Sequence, residues 1–109
     1  MEEETARNIV QHYLRYLSEQ GIPVKYGVLF GSHAKGKANA LSDIDVLVVS
    51  PQFDEQRTHT DYENLFIYAG RTDSRIEPIP VGEKQFAEDN TNMIIEIARR
   101  EGQMISLVD

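Results

Sequence analysis

The chain contains no cysteine. That excludes disulfides and thiolate metal sites, and it fits a reducing compartment. It has no apolar run long enough to cross a bilayer as a helix. Its first eight residues are acidic and lack the apolar stretch of a secretory leader. Positive charge is also scarce: 11 Lys and Arg stand against 18 Asp and Glu, a formal net charge of −7. A general nucleic-acid binder needs a basic face, so this balance argues against tracking along a phosphate backbone as the main activity. Anionic small ligands would need local cations or a metal to receive them. These absences lead to the expectation of a cytoplasmic protein with no membrane contact and no general affinity for nucleic acid.

What is present is one domain's worth of core. At 109 residues, 40% of them apolar, the chain supports a single hydrophobic core without covalent staples, and residues 1–109 are expected to form one domain. Ala6, Ile9, Val10, Tyr13, Leu14 and Leu17 recur at helical spacing. Glu2, Glu3 and Glu4 lie where a helix dipole favours anions, and Gly21 with Pro23 marks the stop. Residues 24–30, VKYGVLF, read as a strand that Gly31-Ser32 ends in a turn. Residues 43–50, DIDVLVVS, read as a second strand, apolar on both faces beyond its start and therefore central. Thr60 and Glu63 have capping-box spacing ahead of a helix carrying Tyr62, Leu65, Phe66 and Ala69, with Gly70 as a possible end. Residues 74–81, SRIEPIPV, read as an edge strand, because two prolines cannot donate to a ladder. A short helix over EKQFAED, a last helix capped by Asn90 or Thr91, and a short strand within MISLV complete the pattern. This order predicts an α/β domain with a small mixed sheet flanked by helices.

Two aspartates open the most apolar strand. Alternation points Asp43 and Asp45 to one face and Ile44 to the other. Their Cα atoms are about 6.6 Å apart, two strand rises, so both carboxylates can converge on one or two divalent cations. The alternative for an Asp-x-Asp is a pair of solvated charges serving a turn. Upstream, Gly31-Ser32 directly follows a strand. Backbone N–H groups in such a turn can cradle a phosphate, glycine permits close approach, and the Ser32 hydroxyl adds a donor. Taken alone, Gly-Ser is also an ordinary tight turn.

Gly-Ser, ten intervening residues and Asp-x-Asp in a hydrophobic strand resemble the minimal nucleotidyltransferases of the polymerase-beta-like nucleotidyltransferase superfamily. The stretch GSHAKGKANALSDIDVLV, residues 31–48, follows that family's line almost throughout, and EIARREGQMIS near the end is similar too. The chain departs from the pattern at His33 and Lys35, where arginine is frequent, and at Ala40 and Leu41, where proline or an acid is frequent. His33, Lys35 and Lys37 could still meet phosphate oxygens, or could form a solvated loop face.

The resemblance implies a third carboxylate on a later strand. Glu77 is the candidate, since it shares a strand face with Ile79 and Val81; its alternative is an edge charge that discourages aggregation. Asp43, Asp45 and Glu77 would then be both catalytic residues and ligands for two Mg²⁺ ions, with Gly31, Ser32, His33 and Lys35 on the phosphates of ATP. The implied activity moves a nucleoside monophosphate, AMP from ATP, to an acceptor hydroxyl. The implied acceptor is a helical partner of the higher eukaryote and prokaryote nucleotide-binding (HEPN) type, a toxin to which this chain would be the antitoxin and protein adenylyltransferase. A catalytically weak nucleotide-binding or toxin-masking subunit is the alternative in the same fold.

Overall fold

The computed structural model describes residues 5–39, 42–55 and 57–108. Among the described residues, five α-helices, α1 (Ala6–Glu19), α2 (Gln52–Glu55), α3 (His59–Thr72), α4 (Glu83–Glu88) and α5 (Met93–Glu101), accompany four strands, β1 (Tyr26–Phe30), β2 (Ile44–Val49), β3 (Ile76–Val81) and β4 (Gln103–Ile105). The strands form one sheet in the order β3-β2-β1-β4. The β1 strand runs antiparallel to β2 and β4, while β2 and β3 are parallel. The sheet is therefore mixed and flanked by helices, as the hydrophobic pattern predicted.

The central strand shows why the chain folds this way. Ile44, Val46 and Val48 are buried on one face, in a core with Ile9, Val10, Tyr13, Leu14 and Leu17 of α1 and Leu65 and Ala69 of α3. Leu47 and Val49 face the other way, against Val28, Val81, and Ile95 and Ala98 of α5. The closeness of α1 to the sheet depends on Gly27, where a Cβ would lie 2.8 Å from a Leu14 methyl. The buried Tyr13 hydroxyl donates to the Leu65 carbonyl at 2.8 Å and so ties α1 to α3.

Several boundaries differ from the sequence reading. The capping box at α3 uses Thr58 and Asp61, two residues earlier than Thr60 and Glu63: the Asp61 N–H donates to Thr58 Oγ1 at 3.2 Å, and the Thr58 N–H to Asp61 Oδ2 at 2.9 Å. Both spacings are compatible with a box, and burial of Leu65 and Ala69 does not choose between them. Gly70 does not end α3, which continues to Thr72. Helix α5 is capped by Asn92, whose side chain accepts from Ile94 and Ile95, rather than by Asn90 or Thr91. The last strand starts at Gln103, because its register is set by pairing with residues 27–29 of β1. The expected acidic first turn at Glu2–Glu4 and the family departures at Ala40 and Leu41 lie outside the described residues. No described helix is long and apolar enough to cross a membrane.

Strand β3 is an edge strand, and its prolines have a positional logic. Ile44 N–H donates to the Arg75 carbonyl and Ser50 N–H to the Val81 carbonyl. In a parallel ladder this turns the backbone of residues 77, 79 and 81 towards β2 and that of residues 76, 78 and 80 outwards. Pro78 and Pro80 thus occupy two of the outward positions, and the Ile76 N–H is spent on the Asp73 carbonyl at 3.1 Å. The open edge offers no free backbone donor there, which blocks extension by a further strand.

Candidate active site

The strand register assembles the site. Asp45 pairs with Phe30 on β1 and with Glu77 on β3, so Phe30, Asp45 and Glu77 form a row across one sheet face. Farther along the strands, Leu47, Val49 and Val81 on this face are buried under α5. At the strand mouths the cover ends: Asp45 is half-buried, and Asp43 and Glu77 are exposed. The glutamate beside Ile79 and Val81 is thus accommodated because the helical layer stops short of it.

The three acids stand close enough to shift one another: Asp43 and Asp45 both act on Glu77, by charge and by hydrogen bonding when a carboxyl is protonated. Burial pushes Asp45 above the usual aspartate range, and the Asp43 charge adds to this; the bond from Glu77 and the nearness of His33 work the other way. Glu77 is also held above the usual range, first by desolvation and then by the Asp43 and Asp45 charges and its bonds to both. The hydrogen bonding between the two acts in opposite senses, lowering Asp45 and raising Glu77. Among the described residues, no group of three or more His, Asp or Glu side chains is placed to hold a metal ion as it stands. The donor set nonetheless suits a hard divalent cation: oxygen ligands only, crowded enough to repel one another when ionised.

The Gly31-Ser32 turn closes the site on the β1 side. Residues Gly31–His33 form a single 3₁₀ turn rather than the longer helix suggested by HAKGKA. Gly31 has φ +77°, and a Cβ there would lie 2.5 Å from Asp45 Oδ2. Glycine is required here both for backbone conformation and to keep the Asp45 oxygen uncovered. The turn is tied to the aspartate strand through His33, whose Nε2–H donates to the Ser42 carbonyl at 3.3 Å, one residue before Asp43. A carbonyl can only accept, so this contact fixes the imidazole tautomer.

Of the sequence-selected residues, Gly31, Ser32 and His33 meet the three acids at one mouth. Lys35 does not join them, because its ammonium pairs with Glu101 at the end of α5, at 3.1 Å. Lys37 is exposed. Gln103 Nε2 adds a bond to the Ala34 carbonyl at 3.1 Å, so α5 and β4 together hold the turn. These two supports escaped the sequence reading, since nothing in local spacing joins residues nearly seventy positions apart. Asp54 escaped it for the same reason: its carboxylate accepts from the Lys84 and Gln85 N–H groups and supplies the cap that Gly82 lacks.

The carboxylates give opposite pH dependences. With Asp45 and Glu77 raised, the folded chain binds more protons than the unfolded chain between the ordinary and the raised values, so stability falls as pH rises through that window. Asp73 is held below the ordinary range by its bonds to Arg75, so its contribution is complete above that range and is lost on acidification. In metal-free buffer the melting temperature should therefore peak in mild acid and decline towards neutrality. In Glu77→Gln the neutral decline should flatten. Circular dichroism melts across pH check this.

The sequence model of the family described as nucleotidyltransferase domain matches residues 10–102. No curated protein matches the chain at a significant level. Among solved structures, the chain is similar to a candidate nucleotidyltransferase from Sulfolobus solfataricus, with TM-score 0.62 and 14% identity over 95% of this chain and 89% of the other. It is also similar to a toxin–antitoxin structure with AMP-PNP, with TM-score 0.60 and 18% identity over 86% of this chain and 70% of that one. These likenesses show the fold alone. Membership follows from the family match, which spans the first sheet strand, the acid-bearing strands and the last helix: the chain belongs to the nucleotidyltransferase domain family.

Proposed function

We propose that this chain transfers a nucleoside monophosphate, AMP from ATP, to a hydroxyl on a partner protein, and that Asp43, Asp45 and Glu77 are its catalytic acids. The observation that carries this reading is the register of Asp45 opposite Glu77, with the Asp43 charge acting on both, beside a glycine turn that leaves an aspartate oxygen uncovered. Mg²⁺ held by Asp43, Asp45 and Glu77 would supply charge neutralisation at the transferring phosphate. The acceptor oxygen bonds to the α-phosphorus, the bond to the β-phosphate oxygen breaks, and pyrophosphate leaves. Glu77, ionised when the acceptor arrives, takes the hydroxyl proton, and its raised affinity for a proton suits it to act as the base. Gly31 and Ser32 present backbone N–H groups and a hydroxyl to the departing phosphates, and His33 orients the turn through Ser42.

The likeness to a toxin–antitoxin structure with AMP-PNP supports a nucleoside triphosphate as substrate and a toxin as partner, with this chain as antitoxin; a helical HEPN-type toxin is the partner that the resemblance of residues 31–48 implies. Incubation with ATP labelled at the α- or γ-phosphate, Mg²⁺ and the partner tests the reaction class. Label from the α-position should become bound to the partner, and γ-label should leave in pyrophosphate. Label retained from the γ-position would identify a phosphoryl transferase instead and overturn the proposal.

A further inference from the structure

A cavity of about 150 Å³ lies at the open edge of β3, walled by Leu47, Ile79, Tyr62 and Ile94, with Arg57 and Gln85 at its rim. It has room for about five waters at ~30 Å³ each, or for one large apolar side chain. Its floor continues the sheet face of the acids: Leu47 follows Asp45 and Ile79 follows Glu77 by one same-face step, about 6.6 Å. Ile94 and Tyr62 are each 43% exposed, although both are large and apolar in the main. The nucleotidyl-transfer reading does not use this cavity.

We infer that the cavity receives an apolar side chain of the acceptor protein, two residues from the hydroxyl that accepts the nucleotide. This rests on the reaction proposed above. In-line displacement places the incoming hydroxyl opposite the leaving pyrophosphate. The Gly31 turn lies on the β1 side of Asp45 and Glu77 on the β3 side, so phosphates seated at the turn oblige the acceptor to arrive over β3. An extended segment with its hydroxyl over Glu77 carries its next same-side residue over Ile79 and into the cavity. Pro78 and Pro80 deny that segment a backbone ladder along the edge, so side-chain pockets must supply its register. Charge fits the same order. The acids stand at one end and Arg57, the only charged residue lining the cavity among the described residues, at the other, held by Gln85 Oε1 at 2.8 Å. The matched acceptor sequence is therefore a hydroxyl residue, an apolar residue two positions away, and a carboxylate two positions beyond.

The test uses the whole chain and two probe peptides, acetyl-Ser-Gly-Leu-Gly-Asp-amide and its reverse-order counterpart, with Leu→Ala and Asp→Ala versions of each. Methyl NMR during titration should show shifts at Ile79 and Ile94 but not at Ile9, which lies in the core on the opposite sheet face. Affinity should drop at least tenfold for the Leu→Ala peptides and severalfold for the Asp→Ala peptides. Absence of shifts at Ile79 and Ile94 with both directions of peptide overturns the inference, whether or not the protein turns over ATP. Shifts without any pyrophosphate release would leave the pocket standing and remove the transfer reaction instead. In transfer assays, Ile94→Lys should raise the KM for the leucine peptide at least tenfold, to that of its alanine counterpart. A rise confined to the KM for ATP would assign the cavity to the nucleobase and refute the acceptor role.

Discussion

Asp45→Asn is expected to reduce nucleotide transfer by roughly 10³-fold while leaving the fold intact or firmer. The substitution keeps size and hydrogen-bonding capacity, and it removes one charge from the centre of the row that joins the Gly31 turn to Glu77. Transfer to the α-phosphorus depends on positioning and on compensating charge that develops there, and losing one such group costs about 3–4 kcal/mol of transition-state stabilisation. Binding of the triphosphate should fall much less, because the turn remains. Stability moves the other way. Burial and the neighbouring Asp43 both disfavour the ionised Asp45 in the folded state. Above the raised pKa that penalty is fully present, so its removal should raise the melting temperature in metal-free buffer at neutral pH. Parallel measurement of transfer rate and thermal melting checks both halves. A variant that melts lower and retains transfer would mark Asp45 as a structural charge.

Gly31→Ala should damage both the fold and the transfer reaction. At φ +77° any side chain is strained, and a Cβ at 2.5 Å from Asp45 Oδ2 must displace the carboxylate. The combined cost should be about 2 kcal/mol, a fall of about 8–16 °C in melting temperature for a domain of this size, with transfer lost. Gly36 supplies the control. Its φ is +70°, yet a Cβ there would meet nothing within 4 Å, so Gly36→Ala incurs the backbone term alone. The difference between the two variants isolates the contact with Asp45. It should vanish when Gly31→Ala is combined with Asp45→Ala, a coupling that a double-mutant cycle reads directly. Equal costs at the two glycines in the wild-type background would show that the turn does not press on the aspartate.

The parts of this molecule legible in sequence are those governed by periodicity and by short spacings. The apolar stripe of α1 and the two-faced apolar run of β2 left little freedom in their placement, and alternation alone put Asp43 and Asp45 on one face. The edge position of β3 followed from its prolines. The closeness of Glu77 to Asp45 needed more, since it depends on a parallel register across thirty-one residues of intervening chain, and the family resemblance with the odd position of a glutamate among Ile79 and Val81 hinted at it. The fate of Lys35 was not legible. A lysine in a phosphate-binding loop and a lysine paired to a distant helix end look identical until Glu101 is placed. The caps at α3 and α5 shifted by one or two residues because several Thr, Asn and Asp residues stand at each helix start, and which one turns its side chain onto the free N–H groups is decided by how the preceding loop arrives.

The central claim is that two charges stand at the mouth of a buried strand because a cation neutralises them there. Thermal melting of wild type and Asp45→Asn, each with and without Mg²⁺ at neutral pH, tests it most directly. At ten times the dissociation constant, binding to the folded state alone contributes about 1.4 kcal/mol, or about 6–11 °C. Wild type should gain that shift and Asp45→Asn should lose most of it. If Mg²⁺ moves both proteins equally, or moves neither, the carboxylates do not hold a cation and the account fails.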